Sequence, residues 1–511
     1  MKKNDIKLSF DNSCSFNNYV DSCIGTGRMG LALFKEYQDQ LKLCQKEIGF
    51  KYIRGHGLFC DDMAIYQERD MTRFGGEVTI DYNFTYLDLV FDFYLSINLK
   101  PYLELGFMPY KMASGEQTIF YWKGNTTPPK DYDAWKKLIQ VTLRHLIDRY
   151  GRDEVITWPV EVWNEPNLPD FWENADMEEY FKLFEVSFNA VKEVDKDFKV
   201  GGPAVCGGSD RKWIKAFLEF CKEKNLEPDV ITRHHYATEL PEYTGHYGYA
   251  KLMDPMNEED GFPGLHSTRE IIDSFPEFKG KDIHITEFNT SYIPICPLHD
   301  TNQNAAYIAN QLSKLGDDNK LYSYWTFGDC FEEMGVPYSL FHGGFGLVTY
   351  GNIPKPTFWT FAFFKYLKDN YKTCIQKDDT SIVVIDNENT VKGVCYNVTL
   401  ERSGNDFINS YEINVKDGNY VLLTKRVDEE VCNPLKVWHD LGENRILKKE
   451  DIELIKSASY PQVSTKVISA VDGKVSFDIE LKENAMVYFE LKKVSVISDT
   501  GYDYNRVMQY K

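Results

Sequence analysis

Residues 131–165 read DYDAWKKLIQVTLRHLIDRYGRDEVITWPVEVWNE. Positions 131–150 carry a strong helical pattern, and the run that follows, VITWPVEVW, reads as a strand that breaks off at Asn164 and Glu165. The same beat recurs on both sides. Phe34, Tyr37, Leu41 and Ile48 sit near helical spacing, stop at Gly49, and give way to FKYIRGH; a helix-like segment at 84–95 precedes PYLELGF. Downstream, helical patterns at 177–195, 212–224, 267–275 and 304–315 lead into FKVGGPAV, DVITRHHY, DIHITEF and LYSYWTF, and an apolar helix, TFWTFAFFKYL, closes the series. With a first strand near 18–26, the pattern predicts an α/β fold, a (β/α)8 TIM barrel over residues 15–370 including its last helix.

Beyond residue 375 the rhythm changes to short β-branched runs such as TSIVVID, YVLLTKRV and KVSFDIEL, separated by turn signals. These predict an accessory C-terminal β-sandwich over 371–495, to which KLSFD in residues 1–14 adds a strand, followed by a tail over 496–511.

The composition narrows the chemistry. A net charge of −20 with no basic run argues against nucleic acid and anionic membranes as partners. Eleven scattered cysteines without a C-x-x-C pair fit a reducing compartment. The expectation is a cytoplasmic protein without cofactor or metal. Aromatic residues reach 15%, enough to stack on sugar rings as well as to fill a core. Gly25, Gly27 and Gly30 match a dinucleotide-binding turn, but FKYIRGH lacks the carboxylate that a ribose requires; a tight turn after the first barrel strand is the simpler reading.

In a barrel, polar residues at the C-terminal strand ends are the candidates for chemistry. Those ends hold Arg54 and His56, Asn164 and Glu165, His234 and Tyr236, Glu287, and Trp325. Glu165 and Glu287 close the fourth and seventh strands, which face each other across the barrel mouth. Opposed carboxylates suit glycosidic hydrolysis, where one group protonates the leaving oxygen while the other works at the anomeric carbon. Asn164 is placed for a sugar 2-hydroxyl, Tyr236 for orienting a carboxylate and Trp325 for an apolar floor. Glu161, of the same extended-strand parity as Glu165, is expected about 13 Å deeper, in the barrel interior. The paired histidines of RHHY lack a third ligand at sensible spacing, so no metal is expected.

WNEPN, ITEFNTSY, RHHY and SYWTFGDCFEE, with RGHGLF, ELGFMP and LFHGGFGL in order along the chain, resemble the bacterial β-xylosidases of glycoside hydrolase family 39. The resemblance covers residues ~5 to ~370 densely and the sandwich more loosely, and implies a retaining, exo-acting hydrolase of short β-1,4-xylooligosaccharides. It makes Glu165 the general acid/base and Glu287 the nucleophile. Asn164 takes the 2-hydroxyl, and His56, His234 and Glu332 contact sugar hydroxyls; Glu332 is not separable from Glu333 by sequence. Phe120 and Trp325 wall the pocket, with Trp122 and Phe171 near the leaving group. It also suggests a homo-oligomer, tetramer or dimer, with the sandwich and tail at the interface. Alternatives are an α-L-iduronidase-like or broader β-glycosidase specificity, an inert carbohydrate-binding protein, and an NAD-dependent dehydrogenase. For an iduronate carboxylate, cations are needed; Arg54 and Arg233 are more simply read as supports for the two glutamates.

Overall fold

The computed structural model describes residues 1–337, 339–494 and 501–510. Eight parallel strands form a closed barrel: β1 (Cys23–Thr26), β2 (Tyr52–Gly55), β3 (Lys100–Leu105), β4 (Val160–Val162), β5 (Val200–Val205), β6 (Val230–Tyr236), β7 (Asp282–Asn289) and β8 (Leu321–Tyr324). Closure is made by Ser323 and Tyr324 of β8 pairing with Cys23 and Ile24 of β1. Helices α1 (Lys35–Glu47), α2 (Thr85–Ser96), α3 (Tyr132–Tyr150), α4 (Met177–Val194), α5 (Asp210–Lys224), α6 (Phe262–Asp273), α7 (Asn302–Lys314) and α8 (Pro356–Lys368) surround it.

Helix α3 shows how the sequence builds one unit. Asp131 caps it, its carboxylate accepting from the backbone N–H of Asp133 and Ala134. Trp135, Leu138, Ile139, Thr142, Leu143 and Leu146 bury one stripe, and Gly151, at φ +86°, ends the helix where a side chain would be strained. The Trp135 indole N–H donates to Ser187 Oγ on α4 at 2.9 Å, locking neighbouring helices together.

Helix α8 is apolar around its girth because both sides are covered. Phe361 packs on Tyr324 of the barrel (5.2 Å between centroids), and Phe363 on Tyr488 of the sandwich (5.5 Å). The sandwich has a three-stranded sheet, Lys2–Leu8, Phe407–Asn414 and Lys474–Leu481, facing a six-stranded one that runs from Tyr371–Lys377 to an edge strand, Gln462–Ala470. Strict alternation in KVSFDIEL buries Val475, Phe477, Ile479 and Leu481 against Tyr411 and Phe489. The N-terminal strand pairs in parallel with Phe407–Asn414, Lys2 opposite Phe407.

No described helix is long and apolar enough to cross a membrane. Of the expected tail, residues 496–500 and 511 lie outside the described residues; 501–510 are exposed and include a short helix, Tyr504–Val507.

Candidate active site

The barrel mouth is organised around one guanidinium. Arg54, at the end of β2, is fully buried. Its Nε donates to Glu161 Oε2 (2.7 Å), Nη1 to Glu287 Oε1 (2.5 Å), and Nη2 to both Asn164 Oδ1 and Glu104 Oε2 (2.8 Å each). Burial alone would lower the pKa of Arg54, but Glu161, Glu104 and Glu287 more than offset it and hold the group well above its usual value. Glu104 and Glu161 are register partners on β3 and β4, which is why both reach the same cation.

A bulge in the β6–β7 pairing, between Arg233 and His234, sets His234 opposite Glu287. Glu287 Oε2 accepts the Tyr236 hydroxyl at 2.7 Å and lies 3.5 Å from His234 Nδ1. The same nitrogen is 2.8 Å from Glu165 Oε1. Facing oxygens of Glu165 and Glu287 and the His234 nitrogen all lie within 4.8 Å of one another. Burial, then the charge of Glu287, pushes the Glu165 carboxyl up to about 8. His234 is driven well below the usual imidazole range by burial and then by Arg54, so it stands neutral between the two acids.

Glu165 owes its position to a turn in the chain. β4 ends at Val162, and Trp163 (φ +72°) and Glu165 (φ +46°) are both left-handed, which reaims the backbone until the Glu165 N–H donates to the Ala204 carbonyl at 2.9 Å. Such conformations cost roughly 1–3 kcal/mol each in non-glycine residues. The fully buried Trp163, packed on Trp172 and donating from its indole N–H to the Phe171 carbonyl, supports the turn.

These groups open into a cavity of about 600 Å³ that His56, Asn164, Glu165, His234, Tyr236 and Glu287 share with Trp325, Phe171 and Glu333. His56 Nδ1 is 2.8 Å from Glu104 Oε2, which aims the far nitrogen at Glu287 Oε1 (3.6 Å) and Glu333 Oε1 (4.0 Å). The Trp325 ring lies 4.7 Å from His56, and Phe120 stacks on the imidazole at 5.8 Å. Phe120 in turn touches Trp122 (5.2 Å) and Phe171 (5.4 Å), extending the apolar wall. Asn164 Nδ2 is buried without a protein partner, a donor left for a ligand.

The match of the whole chain to known proteins agrees with this geometry. The model of glycosyl hydrolases family 39 matches residues 6–476. The chain belongs to glycosyl hydrolase family 39. A β-xylosidase of Geobacillus stearothermophilus is 46% identical over 494 residues, 96% of each chain, and one of Caldicellulosiruptor saccharolyticus is 34% identical, covering 93% of this chain and 96% of its own. The crystal structure of the family-39 enzyme from Xanthomonas axonopodis pv. citri superposes with a TM-score of 0.86 at 30% identity, covering 97% of this chain and 98% of the other.

Within this family-39 barrel several expectations need correction. Glu332 turns away from the cavity into an ion pair with Arg28 at 2.7 Å, and Glu333 faces inward. Burial, then Glu287 and Glu165, raises the Glu333 carboxyl well above its usual range. Arg233 does not support the two glutamates: it pairs with Asp210 (2.6 Å) and donates to Thr268. Glu161 is interior, as expected, where the Arg54 guanidinium bridges it to Glu287.

His234 and His235 diverge, His235 Nε2 reaching Gln311 Oε1 on α7 at 3.2 Å, so the pair shares no ion. The potential metal-ligand triplet among the described residues is Glu165, His234 and Glu287, whose Glu287 oxygens already receive Arg54 and Tyr236. The glycine motif is spent on packing. A Cβ on Gly25 would sit 2.6 Å from the Trp325 ring, one on Gly27 2.8 Å from Phe331, and one on Gly30 2.5 Å from Asp62.

Two contributors escaped sequence reading. Glu104 was flanked by apolar neighbours in PYLELGF, and its inward register was the available signal. Cys206, beside Glu165 on the cavity wall, had none.

Proposed function

We propose that the cavity carries out a double displacement in which Glu287 attacks the anomeric carbon and Glu165 protonates the departing oxygen. The chain is a glycoside hydrolase, a retaining and exo-acting β-xylosidase, and its substrate is a xylooligosaccharide. The observation that carries the mechanism is the approach of the two carboxylates to within 4.8 Å, near the ~5–5.5 Å typical of retaining pairs and short of the ~6.5–9.5 Å that an interposed water needs.

The partners support the division of labour. Glu287 accepts from Arg54 and Tyr236, which stabilise a charged nucleophile; Glu165 has no guanidinium and holds its proton up to about pH 8. Once Glu287 is esterified its negative charge is gone, Glu165 ionises more readily and can take a proton from water. Proton transfer of this kind contributes roughly 10²- to 10⁴-fold. The unpartnered Asn164 amide is offered to the 2-hydroxyl, where a bond that tightens in the transition state adds to the rate. His56 and Glu333 are assigned to sugar hydroxyls, and Phe120 and Trp325 to the flat faces.

An iduronate-cleaving reading needs a cation in the cavity free to meet a carboxylate. Arg233 lines the cavity but is committed to Asp210, and Arg54, bonded to Glu161, Glu104, Asn164 and Glu287, does not line it. The dinucleotide-binding reading of the glycine turn fails because Gly25, Gly27 and Gly30 are closed in by Trp325, Phe331 and Asp62. We also infer a cytoplasmic homo-oligomer, tetramer or dimer; light scattering on the purified chain tests the assembly.

The test of the mechanism uses leaving groups. Glu165→Ala is expected to keep the first step on nitrophenyl β-xyloside, stall at the intermediate, and be rescued by azide with formation of a β-xylosyl azide. Glu287→Gly is expected to lose both steps. Full activity of Glu165→Ala on xylobiose would falsify the assignment, as would an inverted first product in the proton NMR spectrum.

A further inference from the structure

Two cysteines outside the active site face each other across the junction of the two domains. Cys14 lies in the segment that runs from the N-terminal sandwich strand into the barrel, and Cys374 on Tyr371–Lys377, the first sandwich strand after α8. Their backbones form an antiparallel bridge, with the Cys14 N–H donating to the Cys374 carbonyl at 3.0 Å. Directly opposed antiparallel residues have Cα atoms ~4.5–5.5 Å apart, inside the ~4.4–6.8 Å range that a disulfide spans. Both are free thiols, and their sulfurs are 2.9 Å apart. Ser13 Oγ and Thr373 Oγ1, one residue before each, are also in contact at 3.4 Å, a second side-chain tie between the two segments.

We propose that Cys14 and Cys374 are an oxidative modification site that a hydroperoxide converts into a disulfide, stapling the entry of the chain into the barrel to its return into the sandwich. Cys14 is partly exposed and Cys374 fully buried, so the reaction begins at Cys14. Its thiolate attacks one peroxide oxygen, the O–O bond breaks, and a sulfenic acid and water form. The Cys374 sulfur then attacks the Cys14 sulfur, the S–O bond breaks, and the hydroxyl leaves as a second water with the Cys374 proton. Two thiols lose two electrons and two protons, and one peroxide becomes two waters. Burial, with Cys14 nearby, raises the Cys374 thiol, which slows the second step.

The staple encloses the entire barrel in one covalent loop, so the barrel and sandwich lose the freedom to separate on unfolding. Neither cysteine lines the active cavity, and catalysis is expected to be unchanged.

The experiment uses the full chain, freed of reductant and treated with a stoichiometric amount of hydrogen peroxide. The expected result is loss of two titratable thiols, a mass decrease of about 2 Da, a non-reducing peptide joining Cys14 to Cys374, and a melting temperature ~2–5 °C higher that dithiothreitol reverses. Cys14→Ser removes all four effects while retaining xyloside hydrolysis. Because Cys374→Ser places a hydroxyl in a buried site and can fail to fold, Cys374→Ala serves as the second variant. Over-oxidation of Cys14 with Cys374 still reduced, a disulfide to another cysteine or between chains, or the same mass change in Cys14→Ser would each overturn the proposal.

Discussion

The strongest test of the site is to remove the charge of Glu287 and follow the proton on Glu165. Burial comes first in holding Glu165 near 8 and the negative charge of Glu287 second. With facing oxygens no more than 4.8 Å apart, two unit charges at an effective dielectric constant of ~20 repel by about 3.5 kcal/mol, or ~2.5 pKa units. Glu287→Gln should therefore bring Glu165 from about 8 to roughly 5.5, burial preventing a complete return to the ordinary carboxyl value of 4.5. The assay is carbon-13 NMR of the chain with labelled glutamate carboxyls, Glu165→Gln supplying the assignment by difference. The same shift is expected in native enzyme trapped as a 2-fluoroxylosyl ester, where the nucleophile is neutralised without mutation. In the free enzyme, kcat/KM should fall on the alkaline side with an apparent pKa near 8, since only the protonated acid can act. If Glu165 titrates within about half a unit of its native value in both neutralised forms, the charge of Glu287 does not set it and the proton-cycling argument fails.

Stability should register the same carboxyl. Between the unfolded value of 4.5 and the folded value of about 8, the native state holds a proton that the unfolded chain has lost, so native stability declines as pH rises through that window. Glu165→Gln removes that slope, and its advantage over the native chain in urea unfolding should grow by roughly 3–5 kcal/mol from pH 5 to pH 9; a constant difference across the range contradicts it. Glu333→Gln and Glu332→Gln separate the two neighbours. Glu333→Gln is expected to lower kcat/KM for xylobiose at least ~10-fold, about 1.4 kcal/mol, whereas Glu332→Gln disturbs an ion pair outside the cavity and leaves kcat/KM within about 2-fold. The reverse pattern assigns the sugar contact to Glu332.

The barrel was legible because its signal is repeated. Each strand is a short apolar run after a helical stripe, and a polar residue at the end of such a run, as at Asn164, Glu165 and Glu287, stands out against it. What did not show depends on contacts between distant segments. That Arg54 rather than Arg233 serves the carboxylates follows from side chains meeting inside the barrel, and an arginine on β2 and another on β6 look alike in sequence. Glu332 and Glu333 sit in an irregular loop, where no period decides which side chain faces the cavity; Arg28, more than three hundred positions away, claims one and leaves the other. Gln462–Ala470 passed unread for a different reason. It is a mostly exposed edge strand, so neither of its faces carries the buried alternation that marks KVSFDIEL.

The distribution of donors explains how two glutamates of identical chemistry take opposite states within hydrogen-bonding reach of one imidazole. A guanidinium is planar, and its N–H groups point in fixed directions. Here Nε meets Glu161, Nη1 Glu287, and Nη2 Glu104 and Asn164, and among the described residues no hydrogen bond runs from Arg54 to Glu165. Glu165 meets the neutral His234 and the wall around Cys206, and the through-space pull of Arg54 offsets burial and the charge of Glu287 only in part. The left-handed turn at Trp163 and Glu165 is what puts it there: an extended continuation of β4 would carry residue 165 on past the mouth, away from His234 and from the Ala204 carbonyl that anchors it. The local strain and the raised pKa thus have one origin. The chain is bent to hold an acid beside the nucleophile but out of hydrogen bonding with the cation that binds the nucleophile.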